Sequence, residues 1–325
     1  MQSVPGVDSQ GLGAAGVMKL LANQEVCTNA AILDLWHPLA PTSEIQVGVV
    51  RELSLLGQAV SCLSTSPDIY RAWRTDPVTP VGTASEPSSV TEGLPILDRY
   101  GYLWTSLGVP NGDLFDIPEY DEPDRRNIHA ATIGVHCSAP RAIENFLDMG
   151  HFPYVHTGVL GIEPHTEVVD YDVHIDAETN DLWATQCLFF QPMSATTSTG
   201  GAMVGYTYRV PHPYCTLLYK TSPLDESRMD VIGLFVRSVT PDRIEAHMIL
   251  SVIDDSNTDS FIRRFQQSIF AQDKPILENQ NPKLLPLDPR AETPVRSDRL
   301  AITYRRWLSD LGVTYGVIPE DRSND

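Results

Sequence analysis

Residues 166–253 constrain the fold of this 325-residue chain more than any other stretch. The runs 166–175, 181–190, 202–210, 214–221, 230–239 and 243–253 are rich in β-branched and aromatic residues, and turn signals separate them. That succession predicts an antiparallel sheet of about six strands. Two helical signals come after it. Asn257 or Thr258 is placed to cap a helix running through Phe261, Phe265, Ile269 and Phe270 to about Gln280. Residues 297–311 then form a last amphipathic helix. Helices gathered on an antiparallel sheet make an α+β protein.

Ahead of the sheet, residues 1–30 are rich in Gly, Ala and Gln and read as an extension. Strands are expected at 45–50, 53–56, 59–63 and 100–107. Between the last two, residues 75–95 carry Pro77, Pro80, Pro87 and Pro95 with no periodic pattern, and read as a long loop. The first third is thus a small β unit with an interruption. A strand is expected at 128–137, and Pro140 is well placed to open a helix. Ile143, Phe146, Leu147 and Met149 continue it until Pro153, which should end or kink it.

The residues with chemistry lie on that helix and just beyond its end. Asn145, Asp148, His151 and His156 fall within twelve positions. Two neutral imidazoles beside a carboxylate suit a transition metal with open positions. His151 and His156 are about 140° apart on an ideal helix, a poor angle for one metal unless Pro153 breaks the helix between them. Asp148, three before His151, is either a ligand or the group that orients one. On spacing alone, a metal face and an ordinary cluster of helix-end histidines fit equally well.

Composition removes several classes of function. A formal net charge of −19 disfavours nucleic acid and anionic membrane as partners. No apolar run approaches a membrane span, and the first thirty residues lack a basic n-region and long apolar core. The five cysteines are widely spaced and never paired as C-x-x-C, a reduced pattern that predicts a cytoplasmic location. There is no P-loop and no G-x-G-x-x-G.

The pattern Asn145-x-x-Asp148-x-x-His151-x-x-x-x-His156 resembles the mononuclear iron motif of the α subunits of Rieske non-haem iron oxygenases. Residues 270–280 resemble the segment in which that family carries its third ligand. The resemblance implies Fe(II) held by His151, His156 and Asp273. It implies that Asp148 hydrogen-bonds an iron histidine and leads towards a Rieske cluster in another subunit, with Asn145 near the iron. It also implies a helix-grip-like catalytic domain, residues 128–325, behind a Rieske-like β region, residues 31–127.

One departure matters. A Rieske cluster needs C-x-H followed by C-x-x-H. Between His37 and His129 there is no histidine and Cys62 is the only cysteine, so the β region cannot hold a [2Fe-2S] cluster. That combination resembles the Rieske-less catalytic subunits of bacterial methylxanthine N7-demethylases. The resemblance implies O2-dependent N-demethylation of a 7-methylxanthine-like purine with release of formaldehyde. Electrons from NAD(P)H would arrive through a separate Rieske-containing reductase, in a trimer-based homo- or hetero-oligomer with a possible accessory subunit. Alternatives are an O-demethylase or ring hydroxylase of another aromatic compound, a non-catalytic subunit of a hetero-oligomer, and a small-ligand binding module. Ile276, Leu277 and Gln280, on roughly the face of Asp273, are expected to touch substrate. Phe189, Phe190, Tyr206 and Tyr208 are candidates for a heterocycle pocket or for the core. Arg299, Arg305 and Arg306 read as the solvated face of the last helix.

Overall fold

The structure, a computed structural model, describes residues 26–75 and 93–320. Most of the 1–30 extension and of the 75–95 loop therefore lies outside the described residues. After a short helix, α1 (Ala30–Leu33), come β1 (His37–Pro41), β2 (Arg51–Leu55), β3 (Gln58–Ser66), β4 (Ile69–Arg74), β5 (Ile96–Arg99) and β6 (Tyr102–Thr105). They make two three-stranded sheets, ordered β2-β3-β4 and β1-β6-β5. The strand expected at 45–50 does not form. Thr42–Glu44 is a 3-10 turn and Gly48 takes φ +77, so only an isolated bridge from Val47 to Ser64 remains. The strand expected at 100–107 is shorter for a similar reason. Tyr100 and Gly101 take φ +56 and +74, the conformation of a two-residue hairpin turn between β5 and β6.

The main sheet has seven strands, all antiparallel, in the order β7-β13-β12-β11-β10-β9-β8. They are β7 (Arg126–Val135), β8 (Asp172–Ile175), β9 (Leu182–Gln191), β10 (Ala202–His212), β11 (Cys215–Thr221), β12 (Met229–Thr240) and β13 (Arg243–Val252). The extra strand is β7, which pairs with β13 from far back in the sequence. The first run expected shortens to β8, because Tyr171 leaves the sheet edge. Its hydroxyl donates to the Ser297 carbonyl at 2.6 Å and accepts from the Leu300 amide at 3.0 Å.

Helix α2 (Ala139–Leu147) opens with Pro140 in its first turn and Ser138 as its cap, accepting from the Arg141 amide at 3.4 Å. The short α3 (Phe152–Val155) comes next. Helix α4 (Asp259–Asn279) is capped by Thr258 Oγ1, which accepts from the Phe261 amide at 3.3 Å, and passes through Pro275. A parallel pair, β14 (Leu285–Pro286) with β15 (Val317–Ile318), brackets α5 (Arg299–Asp310). Among the described residues, no helix is long and apolar enough to cross a membrane.

Both faces of the sheet are covered, which is why β11 and β12 read as nearly continuous buried runs. Side chains on successive residues point to opposite faces. Leu217, Tyr219 and Phe235 face the N-terminal β unit, where they pack with Tyr100, Tyr102 and Trp104. The opposite face, including Leu218, Ile232 and Leu234, turns towards the helices. Phe235 is the hub of the rear contact, with ring centroids 5.1 Å from Trp104, 5.6 Å from Tyr102 and 5.8 Å from Phe115. Phe235→Ala should cost about 3–5 kcal/mol of stability by chemical denaturation, as loss of a buried phenyl group does. A loss below about 1 kcal/mol would show that the β unit does not depend on this contact.

Candidate metal centre

Helix α2 ends at Leu147, earlier than Pro153 would dictate. Asp148 is extended (φ −85, ψ 122), and its Oδ1 accepts from the Gly150 amide at 2.6 Å. The chain then enters α3 with His151 as N-cap and His156 as C-cap. Pro153 lies in the first turn of α3, where its missing N–H is tolerated, so it does not separate the two histidines by a break. The short turn itself swings them together. A close neighbour holds that turn in place: a Cβ on Gly161 would meet Pro153 N at 2.6 Å and the Phe152 carbonyl carbon at 2.8 Å.

Three donor atoms converge here. His151 Nε2 and His156 Nε2 stand 3.1 Å apart. Asp273 Oδ1, reaching in from α4, lies 3.4 Å from the first and 3.1 Å from the second. Among the described residues these three form the one group of His, Cys, Asp or Glu whose ligand atoms lie close enough to share an ion. Asp273 Oδ1 is buried and has no hydrogen-bond partner, although buried carboxylate oxygens are normally paired. Donors each about 2.1 Å from one ion and at right angles to each other stand about 3.0 Å apart, so the spacing fits a transition metal.

The outer nitrogens complete the fit. His151 Nδ1 donates to Asp148 Oδ2 at 3.0 Å, and His156 Nδ1 donates to Gln272 Oε1 at 2.9 Å. Each bond fixes the tautomer that leaves Nε2 free as a ligand. Without a metal, a proton supplies the positive charge. Burial disfavours a charged His151, but the Asp148 and Asp273 carboxylates outweigh it and push its pKa up to about 9. Burial likewise works against an ionised Asp273, and the two imidazoles outweigh it, holding the carboxyl down at about 2. A carboxylate kept ionised beside two imidazoles can take a divalent cation in place of that proton, which metal binding would release.

All three donors line one of two neighbouring cavities, and His151 and Asn145 line both. The first cavity holds Asp148, with Ile276, Leu277 and Gln280. The second lies between α4 and the sheet and is lined by Phe146, Phe152, Tyr206, Tyr208, Met248 and Phe270, among others. Ile276, Leu277 and Gln280, expected at the substrate, are therefore on the Asp148 side and not in the aromatic cavity. Positions three, four and seven after Asp273 line the first cavity beside Asn145 and Asp148. The helix residues that reach the aromatic cavity are Phe270, Ile269 and Gln266, the same distances before Asp273. Of the four aromatic candidates, Tyr206 and Tyr208 line it. Phe189 packs behind it against Phe152, with centroids 5.5 Å apart, and Phe190 packs on His165.

Sequence reading also placed Arg305 in solvent, and the structure buries it. Its guanidinium binds both Glu144 oxygens at 2.5 and 2.9 Å and also reaches Glu292. Arg141 joins the cluster, donating to Glu292 at 2.6 Å. Arg305 is four after Ala301 and three before Leu308, on the buried face of α5, so helical period was the available signal. Gln272 was missed although it adjoins Asp273. Arg299 and Arg306 are exposed as expected.

Two imidazoles and a carboxylate at one point, on an antiparallel sheet gripped by a long helix, define the catalytic-domain class of Rieske-type oxygenases. Residues 135–313 match the family model described as vanillate O-demethylase oxygenase C-terminal domain. A probable methylxanthine N7-demethylase, NdmC of Pseudomonas sp. (strain TJI-51), is 43% identical over 288 residues, covering 89% of this chain and 97% of that protein. Methylxanthine N1-demethylase NdmA of Pseudomonas putida is 26% identical over 219 residues, 66% of this chain and 59% of its own length. The solved structure of Pseudomonas putida CBB5 NdmA superposes with a TM-score of 0.67 at 19% identity, covering 86% of this chain and 90% of that one. Dicamba monooxygenase bound to dicamba gives 0.65 at 16% identity, covering 86% and 97%. The chain belongs to the vanillate O-demethylase oxygenase family, within the methylxanthine demethylases, and is an oxidoreductase of the oxidative demethylase kind.

Gln272→Leu removes the acceptor from His156 Nδ1 and should lower metal affinity by about 10–100-fold, as loss of an outer-shell partner does. Competition with a fluorescent chelator measures this. Affinity within about twofold of the parent would show that Gln272 does not set the His156 orientation.

Proposed function

We propose that this chain is the catalytic subunit of an N-demethylase acting on a methylxanthine of the 7-methylxanthine kind. In this reading Fe(II) is held by His151, His156 and Asp273. The observation that carries it is the convergence of three ligand atoms on an aromatic cavity, with His151 also bordering the cavity that holds Asp148. The 43% identical relative named for methylxanthine N7-demethylation supports the choice of substrate.

Bound there, iron supplies reductive activation of O2, so that one oxygen atom enters the N-methyl C–H bond and the other leaves as water. The hydroxymethyl product loses formaldehyde and returns an N–H. The electrons come from NAD(P)H through a separate Rieske-containing reductase, because residues 37–129 lack the ligands for a cluster. The chain's own residues have more closely defined parts. Tyr206 and Tyr208, nearly parallel with centroids 6.2 Å apart, offer aromatic surface to a flat heterocycle. Phe146, Phe152, Phe270 and Met248 exclude water from the methyl group. Asp148 holds the proton on His151 Nδ1 and thereby the orientation of that ring. Its cavity is the face we assign to the partner's Rieske centre, within an oligomer built on trimers. Asn145 lines both cavities and stands near the metal.

A second reading draws on the family description, which names O-demethylation of vanillate. A methoxybenzoate would use the same cavity and also release formaldehyde. One assay separates the two: turnover of a methylxanthine panel and a methoxybenzoate with a Rieske-containing reductase and NAD(P)H. Formaldehyde from a methylxanthine is expected, and formaldehyde from the methoxybenzoate alone would replace the first reading with the second. Iron content tests the enzyme reading itself. After anaerobic Fe(II) loading, less than about a tenth of an equivalent per chain would contradict it, since a site of this kind binds metal tightly.

Asp148→Asn keeps a side-chain oxygen beside Gly150 N but loses the carboxylate at His151. It should retain iron while turnover with the reductase falls by about 10–100-fold. Unchanged turnover would refute the assigned role of Asp148.

A further inference from the structure

The aromatic cavity contains one charge that the chemistry at the metal does not use. Lys220, on β11, is 4% exposed and is the only lysine or arginine in the lining. Its Nζ donates to the Ser194 carbonyl. An ammonium carries three donors, and among the described residues no carboxylate makes an ion pair with this one. Its cross-strand partner Asp230 accepts instead from the Ile253 amide at 2.9 Å. Burial pushes the Lys220 pKa down to about 8, opposed by the charge of Asp230, so the cation persists at neutral pH.

Its position is as telling as its charge. Lys220, Ile232 and Gln266 also line a neighbouring cavity in which no metal ligand takes part. Lys220 therefore stands at the end of the aromatic cavity remote from His151, His156 and Asp273. A buried ammonium with donors still unused costs stability unless a further acceptor arrives. In the aromatic cavity its neighbours Leu218, Ile232 and Leu234 supply none; the polar groups near it are Gln266, which lines both cavities, and Asp230 and Asp254, which line the neighbouring one.

We propose that Lys220 is a substrate-recognition residue, donating a charged hydrogen bond to a ring carbonyl of the heterocycle while the N-methyl group points at the metal. The cavity then selects oxo-purines over N-methyl heterocycles that lack a carbonyl. This rests on the N-demethylase reading above and adds the group that orients its substrate.

The test uses the full chain loaded with iron, as wild type, Lys220→Met and Lys220→Gln. Two ligands are titrated by calorimetry without reductase: 7-methylxanthine, and 7-methylpurine, which has no ring carbonyl. KM and kcat for 7-methylxanthine are measured separately with a Rieske-containing reductase. In Lys220→Met, Kd and KM for 7-methylxanthine should rise by about 10-fold or more, as loss of a charged hydrogen bond does. Affinity for 7-methylpurine should stay within about twofold of wild type, and Lys220→Gln, which keeps a neutral donor, should fall between the two for 7-methylxanthine. Lys220→Met binding 7-methylxanthine as tightly as wild type, or weakening both ligands alike, would overturn the proposal. Should Lys220→Met fail to fold, Lys220→Gln is judged by the same contrast between ligands. A wild type that binds 7-methylxanthine but releases no formaldehyde refutes the demethylase reading and leaves the Lys220 result legible in Kd. A wild type that binds neither ligand overturns both.

Discussion

Everything in this molecule that bears on function depends on one buried carboxylate oxygen. Asp273 Oδ1 has no hydrogen-bond partner, yet two imidazole nitrogens face it at 3.1 and 3.4 Å. A protein interior does not keep an ionised oxygen unpaired without compensation, and a cation shared by all three atoms would supply it. Bringing them together sets demands on distant parts of the chain. Helix α2 must stop at Leu147, a single turn must carry His151 and His156 on its two caps, and α4 must lie across the sheet to deliver Asp273. Each outer nitrogen then needs its own acceptor, and Asp148 and Gln272 provide them.

The sheet makes this possible by being buried on both faces. On its rear, the N-terminal β unit packs Tyr100, Tyr102 and Trp104 against Phe235, with no part in the donor set. On its front, alternate residues of β10 to β13 wall a cavity roofed by α4. His151 and Asn145 thus stand between two environments. One is aromatic and closed by the sheet. The other is bordered by buried ion pairs, Arg141 and Arg305 with Glu144 and Glu292, next to Asp148. Substrate on one side and electron donor on the other is the division of labour this arrangement supports.

Much of the architecture was legible in the sequence, because period and punctuation carry it. The strands of the main sheet, the Thr258 cap and the start of α2 at Pro140 all come from local pattern. The misplaced strands at 45–50 and 100–107 come from backbone turns at Gly48 and at Tyr100 and Gly101 that alternation does not reveal, while β1 and β4 had no expected counterpart and α2 stops short of Pro153. The pairing of β7 with β13 is a long-range contact and leaves no local mark. In the site, the ligand candidates were readable only with a resemblance to supply Asp273, since spacing alone left ordinary histidines equally possible. Period placed Ile276, Leu277 and Gln280 on the face of Asp273 but gave no direction along α4, and the direction decides which cavity they enter. Arg305 escaped because its charge overrode the helical period that puts it on the buried face of α5, and Lys220 because only packing shows that a cavity wall holds it.

His151, His156 and Asp273 would together hold one metal ion. Anomalous scattering at the iron absorption edge, from crystals of protein loaded anaerobically with Fe(II), tests this without any assumption about substrate or partner. A single iron peak within bonding distance of both Nε2 atoms and of Asp273 Oδ1 is the predicted result. Iron bound elsewhere, or no iron peak between these three atoms, would contradict the account.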